Sequence, residues 1–311
     1  MTGIIKKLFK YVANSDYRFL INANRGKYDS WDDEKYLRRK FKACMGRELD
    51  LDDPKTFNEK LQWMKLYDRN PEYTAMVDKY LVRDYIREKL GEEYLIPLIG
   101  VWDSPDEIDF DALPDKFVLK CNHNSGLGMY ICRDKSKMDV EKVKSELRRG
   151  LAQDYYLAGR EWPYKNVPRK IICEKYLINQ GEGDLKDYKF QCVNGKIDHV
   201  FVCVGRNILD DVKFYYFDKD WNHLPYSVDD SNDVEYLKSL KPKTFEKMKD
   251  IVNLLCADMP EVRVDLYEVD GKILFGELTF YTQSGFDLTV TSDADRIIGS
   301  HFQLPDKYNQ R

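Results

Sequence analysis

The 311-residue sequence contains only four histidines, and its seven cysteines are widely spaced, with no CxxC pair. So few histidines and no paired cysteines leave little from which a zinc site could be built. Four cysteines, Cys132, Cys173, Cys192 and Cys203, fall in apolar strand-like runs. We therefore expect buried free thiols in a reducing cytoplasm.

The sequence also lacks an excess of one charge and any long apolar run. Fifty Lys and Arg residues are balanced by 54 Asp and Glu, a net charge of −4, so the composition does not call for a nucleic acid partner. No run of about 18 apolar residues occurs, and we expect no membrane-spanning helix. The first residues also lack the apolar core and cleavage site of a signal peptide.

An amphipathic helix is nevertheless predicted at the start of the chain. It either packs against its own domain or makes a peripheral contact with the inner face of the membrane, and both interpretations fit a cytoplasmic protein. Its apolar and basic residues are Ile4, Ile5, Leu8, Phe9 and Val12 against Lys6, Lys7 and Lys10.

The pattern of the remaining chain predicts an α+β fold with mainly antiparallel sheets. Residues 1–90 are mainly helical in character, with a capping-box spacing at Thr56 and Glu59 and a helix stop at Gly91. Apolar residues spaced by four predict one helix across "YTAMVDKYLVRDYIREKLG". Helices are also predicted near 139–152 and 243–257, and strands at 116–120, 129–133, 170–177, 187–193, 199–206, 212–218 and in the hairpin of 262–286.

The hairpin carries two acids, Asp265 and Glu277, around an Asp270-Gly271 turn. A two-residue turn would place the acids on opposite faces. A three-residue loop starting at Val269 makes them diagonal neighbours on one face, roughly 7–8 Å apart. We predict the three-residue loop because it collects apolar residues on the other face: Val262, Val264, Leu266, Leu274 and Leu278.

Two carboxylates on one face, next to Arg263 and Thr279, suit a magnesium ion that carries phosphate. The same residues would also fit a simpler arrangement, in which both acids form ion pairs with Arg263 on a solvated face. The hairpin alone leaves both interpretations open.

A second polar constellation follows the strand that ends at Lys120. Gly126 and Gly128 would let backbone amides approach a phosphate, although the GK[ST] of a Walker loop is missing. An ordinary hairpin loop, with His123 as a local hydrogen-bonding residue, is the alternative.

Two further strands end in charged residues. The strand before Glu174 and Lys175 could present its backbone to an adenine, or could be an ordinary edge strand. Lys189 and Arg206 could reach phosphates from the next sheet, or could face solvent.

The order of these segments resembles the ATP-grasp superfamily and, more narrowly, the TupA-like ATP-grasp family of bacterial surface-polysaccharide gene clusters. The resemblance extends from about residue 35 to residue 286. It is carried by five segments in the same order: "DDPKTFNEKLQWMKLYDRNPEYTAMVDKYLVRDYI", "EEYLIPLIGVWD", "FVLKCNHNSG", "DYKFQCVNGK" and "VRVDLYEVDGKILFGELTFYTQSGF".

This resemblance implies an ATP-grasp fold, in which two mainly antiparallel subdomains, 116–180 and 181–311, enclose ATP and follow a helical N-terminal region, 1–115. It also implies an ATP- and magnesium-dependent carboxylate–amine ligase that works through an acyl phosphate. The substrates would be an amine and a uronic-acid-type sugar of a capsule, O-antigen or teichuronic precursor, free or lipid-linked.

The resemblance also implies roles for individual residues. Lys120 would contact the α- and β-phosphates, Arg263 would stabilise the transferred phosphoryl group, and Lys189 and Arg206 would contact phosphate or the acid substrate. The remaining assignments are the phosphate loop Asn122, His123, Asn124, Ser125 and Gly126; the adenine site Glu174, Lys175, Tyr176 and Leu177; and the magnesium ligands Asp265, Glu277 and Thr279.

The sequence departs from the family pattern in two places. Thr279 stands where most ATP-grasp enzymes have a metal-binding Asn, and a helical region replaces the usual N-terminal α/β domain. A glycosyltransferase that uses a nucleotide sugar is the main alternative function. A nucleotide-binding protein without catalysis and a sugar kinase are the others.

Overall fold

The computed structural model describes residues 2–178, 185–205 and 212–307. The chain divides into two compact units. One comprises Met1–Asn70, Tyr156–Trp162 and Tyr281–Arg311, and the other comprises Pro71–Tyr155 and Pro163–Phe280.

Helices account for most of the first unit, as the sequence predicted for the N-terminal region. The predicted capping box is confirmed, since the Thr56 hydroxyl accepts from the Glu59 amide while the Glu59 carboxylate accepts from the Thr56 amide. The helices, numbered in chain order through both units, are α1 (Thr2–Ala13), α2 (Ser15–Ala23), α3 (Asp33–Met45), α4 (Phe57–Tyr67), α5 (Tyr73–Val77), α6 (Val82–Lys89), α7 (Val140–Ala152), α8 (Tyr155–Gly159), α9 (Val234–Ser239), α10 (Phe245–Cys256) and α11 (Ser292–His301).

The single helix predicted across residues 73–89 is wrong, because the chain breaks between α5 and α6. The Asp78 side chain accepts hydrogen bonds from the amides of Tyr80 and Leu81, and this local turn competes with continuation of the helix. The break places Asp78 and Lys79 in a connection rather than on a helix face. The predicted stop is confirmed, with Gly91 at a positive φ of +110° just after α6.

The second unit contains two sheets in which every named strand pair is antiparallel, which confirms the predicted α+β class. A four-stranded sheet has the order β1-β4-β2-β3, and a six-stranded sheet has the order β10-β9-β5-β6-β7-β8. The strands are β1 (Leu98–Trp102), β2 (Phe117–Cys121), β3 (Met129–Cys132), β4 (Ile171–Lys175), β5 (Asp187–Val193), β6 (Lys196–Val204), β7 (Lys213–Phe217), β8 (His223–Leu224), β9 (Glu261–Val269) and β10 (Lys272–Thr279).

Each sheet is covered by a helix on one face. Leu147 of α7 packs with Phe117 and Leu119 of β2 in one core, and Phe245 of α10 stacks against Phe190 of β5 at a centroid distance of 6.0 Å. Because side chains alternate across a strand, residues next to Phe190 point to the face that α10 leaves uncovered. The expected free cysteines are confirmed, and six of the seven are buried.

No helix in the described part of the chain combines the length and the apolarity that crossing a bilayer requires.

Candidate active site

The β9–β10 hairpin turns in two residues, so the predicted three-residue loop is wrong. Val269 pairs with Lys272, and both Asp270 (φ +50°) and Gly271 (φ +75°) are left-handed, the geometry of a type I′ turn. This turn matches the twist of the flanking strands, which explains why it replaces the longer loop.

A β-bulge at Gly276 then shifts the register between Phe275 and Glu277. Beyond the bulge, Glu277 lies directly opposite Asp265, and Thr279 lies opposite Arg263. The predicted shared face of the two acids is therefore confirmed, through a different register and with direct rather than diagonal pairing. A bulge adds one residue to one strand, so the residues beyond it move to the other face while the hairpin is kept.

The same shift corrects the predicted apolar face. Leu274 pairs with Tyr267 on the polar side and is only partly buried. Ile273 and Phe275 take its place in the core, at 5% and 4% exposure.

Arg263 forms hydrogen bonds with both acids. Its Nε and Nη2 atoms donate to Asp265 at 2.6 and 2.8 Å, and Nη2 also donates to Glu277 Oε1 at 3.0 Å. The Thr279 hydroxyl accepts from Nη2 at 3.0 Å and donates to Glu277. The acids thus converge on one guanidinium nitrogen, where Arg263 and Asp265 are buried and the Glu277 side chain is partly exposed.

Lys189 completes this group from the neighbouring strand β5. It pairs in register with Asp265, and its Nζ contacts the carboxylates of both Asp265 and Asp187, the latter at 2.7 Å. We call this set the hairpin cluster; it consists of Asp187, Lys189, Arg263, Asp265 and Glu277. Sequence reasoning missed Asp187, although the alternation of Asp187 and Lys189 with apolar residues would have placed them on one face.

The electrostatics of the two acids differ. Burial raises the pKa of Asp265 above its ordinary value, while Arg263 and Lys189 oppose the rise. For Glu277, burial also acts to raise the pKa, but Lys79, Arg263 and Lys189 outweigh it and lower the pKa to about 2. Glu277 is therefore an anion throughout the physiological range, and its side chain is 37% exposed.

A second ion cluster lies on the four-stranded sheet. Glu174 of β4 accepts from Lys120 of β2 at 2.7 Å through one oxygen, and from Arg83 of α6 at 3.4 Å through the other. We call Arg83, Lys120 and Glu174 the strand cluster. Both oxygens of Glu174, the residue assigned to adenine, are thus paired with cations, and Arg83 is a partner that the sequence did not predict.

Lys79 was also missed, because the regular apolar spacing around it suggested an unbroken helix. Its Nζ donates to the Asn124 carbonyl at 2.7 Å. Burial lowers the pKa of Lys79, while the nearby Glu277 and, more weakly, Asp78 and Glu174 raise it. Lys79 is thus under the electrostatic influence of a carboxylate from each cluster, Glu277 and Glu174.

The predicted phosphate loop divides into an anchored half and an exposed tip. The Asn122 side chain donates to Asp78 and accepts from the Lys170 amide, while the Asn124 side chain donates to Gly150 and Gln153. His123 is buried and contacts the Gln153 carbonyl. These side chains hold the loop in place, whereas Ser125 and Gly126 are exposed.

The two glycines of the loop have different surroundings. Gly128 packs so closely that a Cβ atom would meet Cys121 Sγ at 2.7 Å, whereas a Cβ atom on Gly126 would meet nothing within 4 Å. Gly126, with φ +84°, is thus the position where backbone lies open to a ligand.

The other residues predicted for the adenine site are more exposed than Glu174. Lys175 is exposed, and Tyr176 and Leu177 are partly buried. Tyr176 has a long contact with Arg133 at 3.4 Å. Arg206 lies outside the residues that the structure describes.

The hairpin cluster fits a magnesium ion. Its carboxylate oxygens, together with the hydroxyl oxygen of the adjacent Thr279, are ligands that this hard cation prefers. In the described part of the chain no group of three or more His, Cys, Asp or Glu side chains is arranged for a metal. One or two carboxylates are nevertheless sufficient when phosphate oxygens complete the coordination.

A family model described as TupA-like ATPgrasp matches residues 59–303, whereas the comparison with curated proteins found no match. Among solved structures, the D-alanine–D-alanine ligase from Helicobacter pylori is 13% identical with a TM-score of 0.41, over 73% of this chain and 61% of that one.

The corresponding ligase from Bacillus anthracis, complexed with ATP, is 17% identical with a TM-score of 0.36, over 66% of this chain and 54% of that one. The ATP-grasp ligase PsnB with its minimal precursor is 11% identical with a TM-score of 0.40, over 89% of this chain and 75% of that one. The chain thus spans less than two thirds of both D-alanine–D-alanine ligases.

Proposed function

Since the chain belongs to the TupA-like ATP-grasp family, we propose that it is an ATP-dependent ligase that joins a carboxylate to an amine. The observation that carries this proposal is the convergence of Asp265 and Glu277 on one nitrogen of Arg263. Phosphoryl transfer depends mainly on positioning and charge neutralisation, and this group supplies both signs of charge at one place.

In this proposal ATP lies between the two sheets, within subdomains 116–180 and 181–311. Asp265, Glu277 and Thr279 would hold magnesium, which supplies charge neutralisation to the phosphates. Lys120, and Lys79 as an added candidate, would bind phosphate, and the open backbone near Gly126 would cover it. Residues 174–177 would border the adenine, and Lys189 would keep Asp265 in position.

The proposed reaction has two steps. A carboxylate oxygen attacks the γ-phosphorus of ATP, the bond to ADP breaks, and an acyl phosphate forms. The amine nitrogen then attacks the acyl carbon, phosphate leaves, and the nitrogen loses a proton to give the amide. Arg263, itself always charged, would stabilise the transferred phosphoryl group.

The substrates that we propose are a uronic-acid-type sugar of a surface-polysaccharide precursor and an amino acid or similar amine. The support for them is the family to which the chain belongs. We place the reaction in the cytoplasm, in keeping with buried free thiols.

The test is to incubate the full chain with ATP, magnesium chloride, uronic acid derivatives and each amino acid in turn. Phosphate release, the nucleotide product and the product mass are followed together. We expect ADP, free phosphate and an amide. Release of UDP in a parallel incubation with a UDP-sugar would instead identify a glycosyltransferase, and ADP without free phosphate would identify a kinase.

Glu277→Gln should lower turnover about a hundredfold, as expected for loss of an electrostatic contact at the reacting centre. The matched control is Glu235→Gln on α9, a glutamate whose side chain is 84% exposed. Equal turnover in the two variants would reject the assignment of Glu277.

A further inference from the structure

Helix α1 presents an apolar stripe that nothing in the described structure covers. Its side chains Ile5, Leu8, Phe9 and Val12 are 66%, 63%, 72% and 67% exposed, the highest values among large apolar residues in the described part of the chain. At 100° per residue these four positions occupy an arc of about 100°, the width of an apolar face that is normally buried.

The helix is attached to its unit by a different side. The Tyr11 hydroxyl donates to Asn22 of α2 at 2.8 Å. Arg18 of α2 donates to the carbonyls of Tyr11 and Val12 at the end of α1. These contacts fix α1 beside α2 while the apolar stripe stays exposed, so the structure does not support packing of that stripe against its own domain.

The charge around the stripe is strongly basic. Helix α1 carries three lysines and no acidic residue. Residues 1–47 contain twelve Lys and Arg against five Asp and Glu, a net charge of +7, whereas the remaining 264 residues contain 38 against 49, a net charge of −11. Such asymmetry between segments is typical of binding to an anionic surface.

We propose that α1 binds the surface of an anionic lipid bilayer, with Ile5, Leu8, Phe9 and Val12 inserted among the lipids. Basic amphipathic helices of this kind lie in the plane of the interface. Lys6, Lys7 and Lys10 would remain with the phosphate headgroups. This inference is independent of the proposed ligase activity.

The experiment is co-sedimentation of the full chain with vesicles of phosphatidylcholine alone or mixed with phosphatidylglycerol. We expect sedimentation with the mixed vesicles only, and a decrease as salt is added, because salt screens the attraction. The double variant Leu8→Gln/Phe9→Gln should reduce binding about tenfold or more, since both side chains lose buried apolar area.

The matched control is Leu288→Gln, which removes an apolar side chain of similar exposure, 61%, outside α1. Circular dichroism should show that each variant remains folded. Equal binding to both kinds of vesicle, or binding unaffected by the double variant, would overturn the proposal. The proposal would also be overturned if the chain bound neither kind of vesicle and formed a dimer that the double variant abolished. The stripe would then be covered by a second copy of the chain.

Discussion

The two ion clusters of the second unit differ in their balance of charges: the strand cluster has more cations than carboxylates, and the hairpin cluster has more carboxylates than cations. In the strand cluster, Arg83 and Lys120 share the single carboxylate of Glu174. In the hairpin cluster, three carboxylates share two cations. A surplus cation suits a phosphate and a surplus carboxylate suits a divalent metal. One triphosphate with its magnesium would thus complement both clusters.

Each cluster also has one member that is more exposed than the others. Lys120 is 19% exposed beside Arg83 and Glu174, at 6% and 8%. Glu277 is 37% exposed, whereas the Asp265 side chain is 2% exposed. The deeply buried members should therefore matter most for stability, and the more exposed members for ligand binding.

The largest expected effect is the loss of stability in Asp265→Asn. This change removes the carboxylate that pairs with both Arg263 and Lys189, and breaking a buried ion pair from one side costs about 3–5 kcal/mol. Urea unfolding should show this loss, while Asp270→Asn in the exposed turn should unfold like the wild type. If Asp265→Asn lost as little unfolding free energy as that control, the buried members of the clusters would not be the ones that matter most for stability.

Lys120→Met should weaken ATP binding while changing stability less. A hydrogen bond to a charged group contributes about 1.5–3 kcal/mol, so the Kd for ATP should rise about tenfold or more. Calorimetric titration measures it, with Lys116→Met, an exposed lysine just before β2, as the control. An unchanged Kd would show that the surplus cation of the strand cluster does not face the nucleotide.

Glu277 gives the hairpin cluster a dependence on pH. Its pKa falls from 4.5 to about 2 despite burial, owing to Lys79, Arg263 and Lys189. A carboxyl with a depressed folded pKa stabilises the protein fully above its unfolded pKa, and this contribution disappears as the pH falls through the folded value.

The difference in unfolding free energy between wild type and Glu277→Gln should therefore be constant above pH 4.5 and shrink between pH 4.5 and about 2. Guanidinium unfolding over a pH series measures this difference. A difference that does not change across that window would mean that the three cations do not act on Glu277.

The sequence predicted the polar face of the hairpin correctly but its register incorrectly. Alternating apolar residues show that Arg263 and Asp265 share a face. They do not show whether a turn or a bulge brings Glu277 to it, because both shift the register by one residue. Gly276 was the available signal, since glycine inside a strand often marks a bulge.

The connection at Asp78 and Lys79 shows a second feature that the sequence pattern could not predict. Apolar residues spaced by four predicted a continuous helix, and the competing side-chain turn of Asp78 interrupts it. Such a break depends on tertiary partners such as Asn122, which donates to Asp78 at 2.8 Å. Local pattern therefore identified Lys120, at the end of a strand, but not Lys79.

The smallest expected effect concerns the bulge itself. A Cβ atom at Gly276 would lie 3.0 Å from the Asp265 carbonyl and 3.1 Å from the Tyr267 ring, so Gly276→Ala should cost about 1 kcal/mol. Gly271→Ala should cost a similar amount because of its left-handed backbone.

The two glycine variants should differ in activity instead. Gly276→Ala disturbs the bulge that sets Glu277 opposite Asp265, and its ATP turnover should fall severalfold. Gly271→Ala leaves that pairing intact, and its turnover should match the wild type. Equal turnover in the two variants, measured by phosphate release at matched stability, would mean that the spacing of the acids tolerates a shifted bulge.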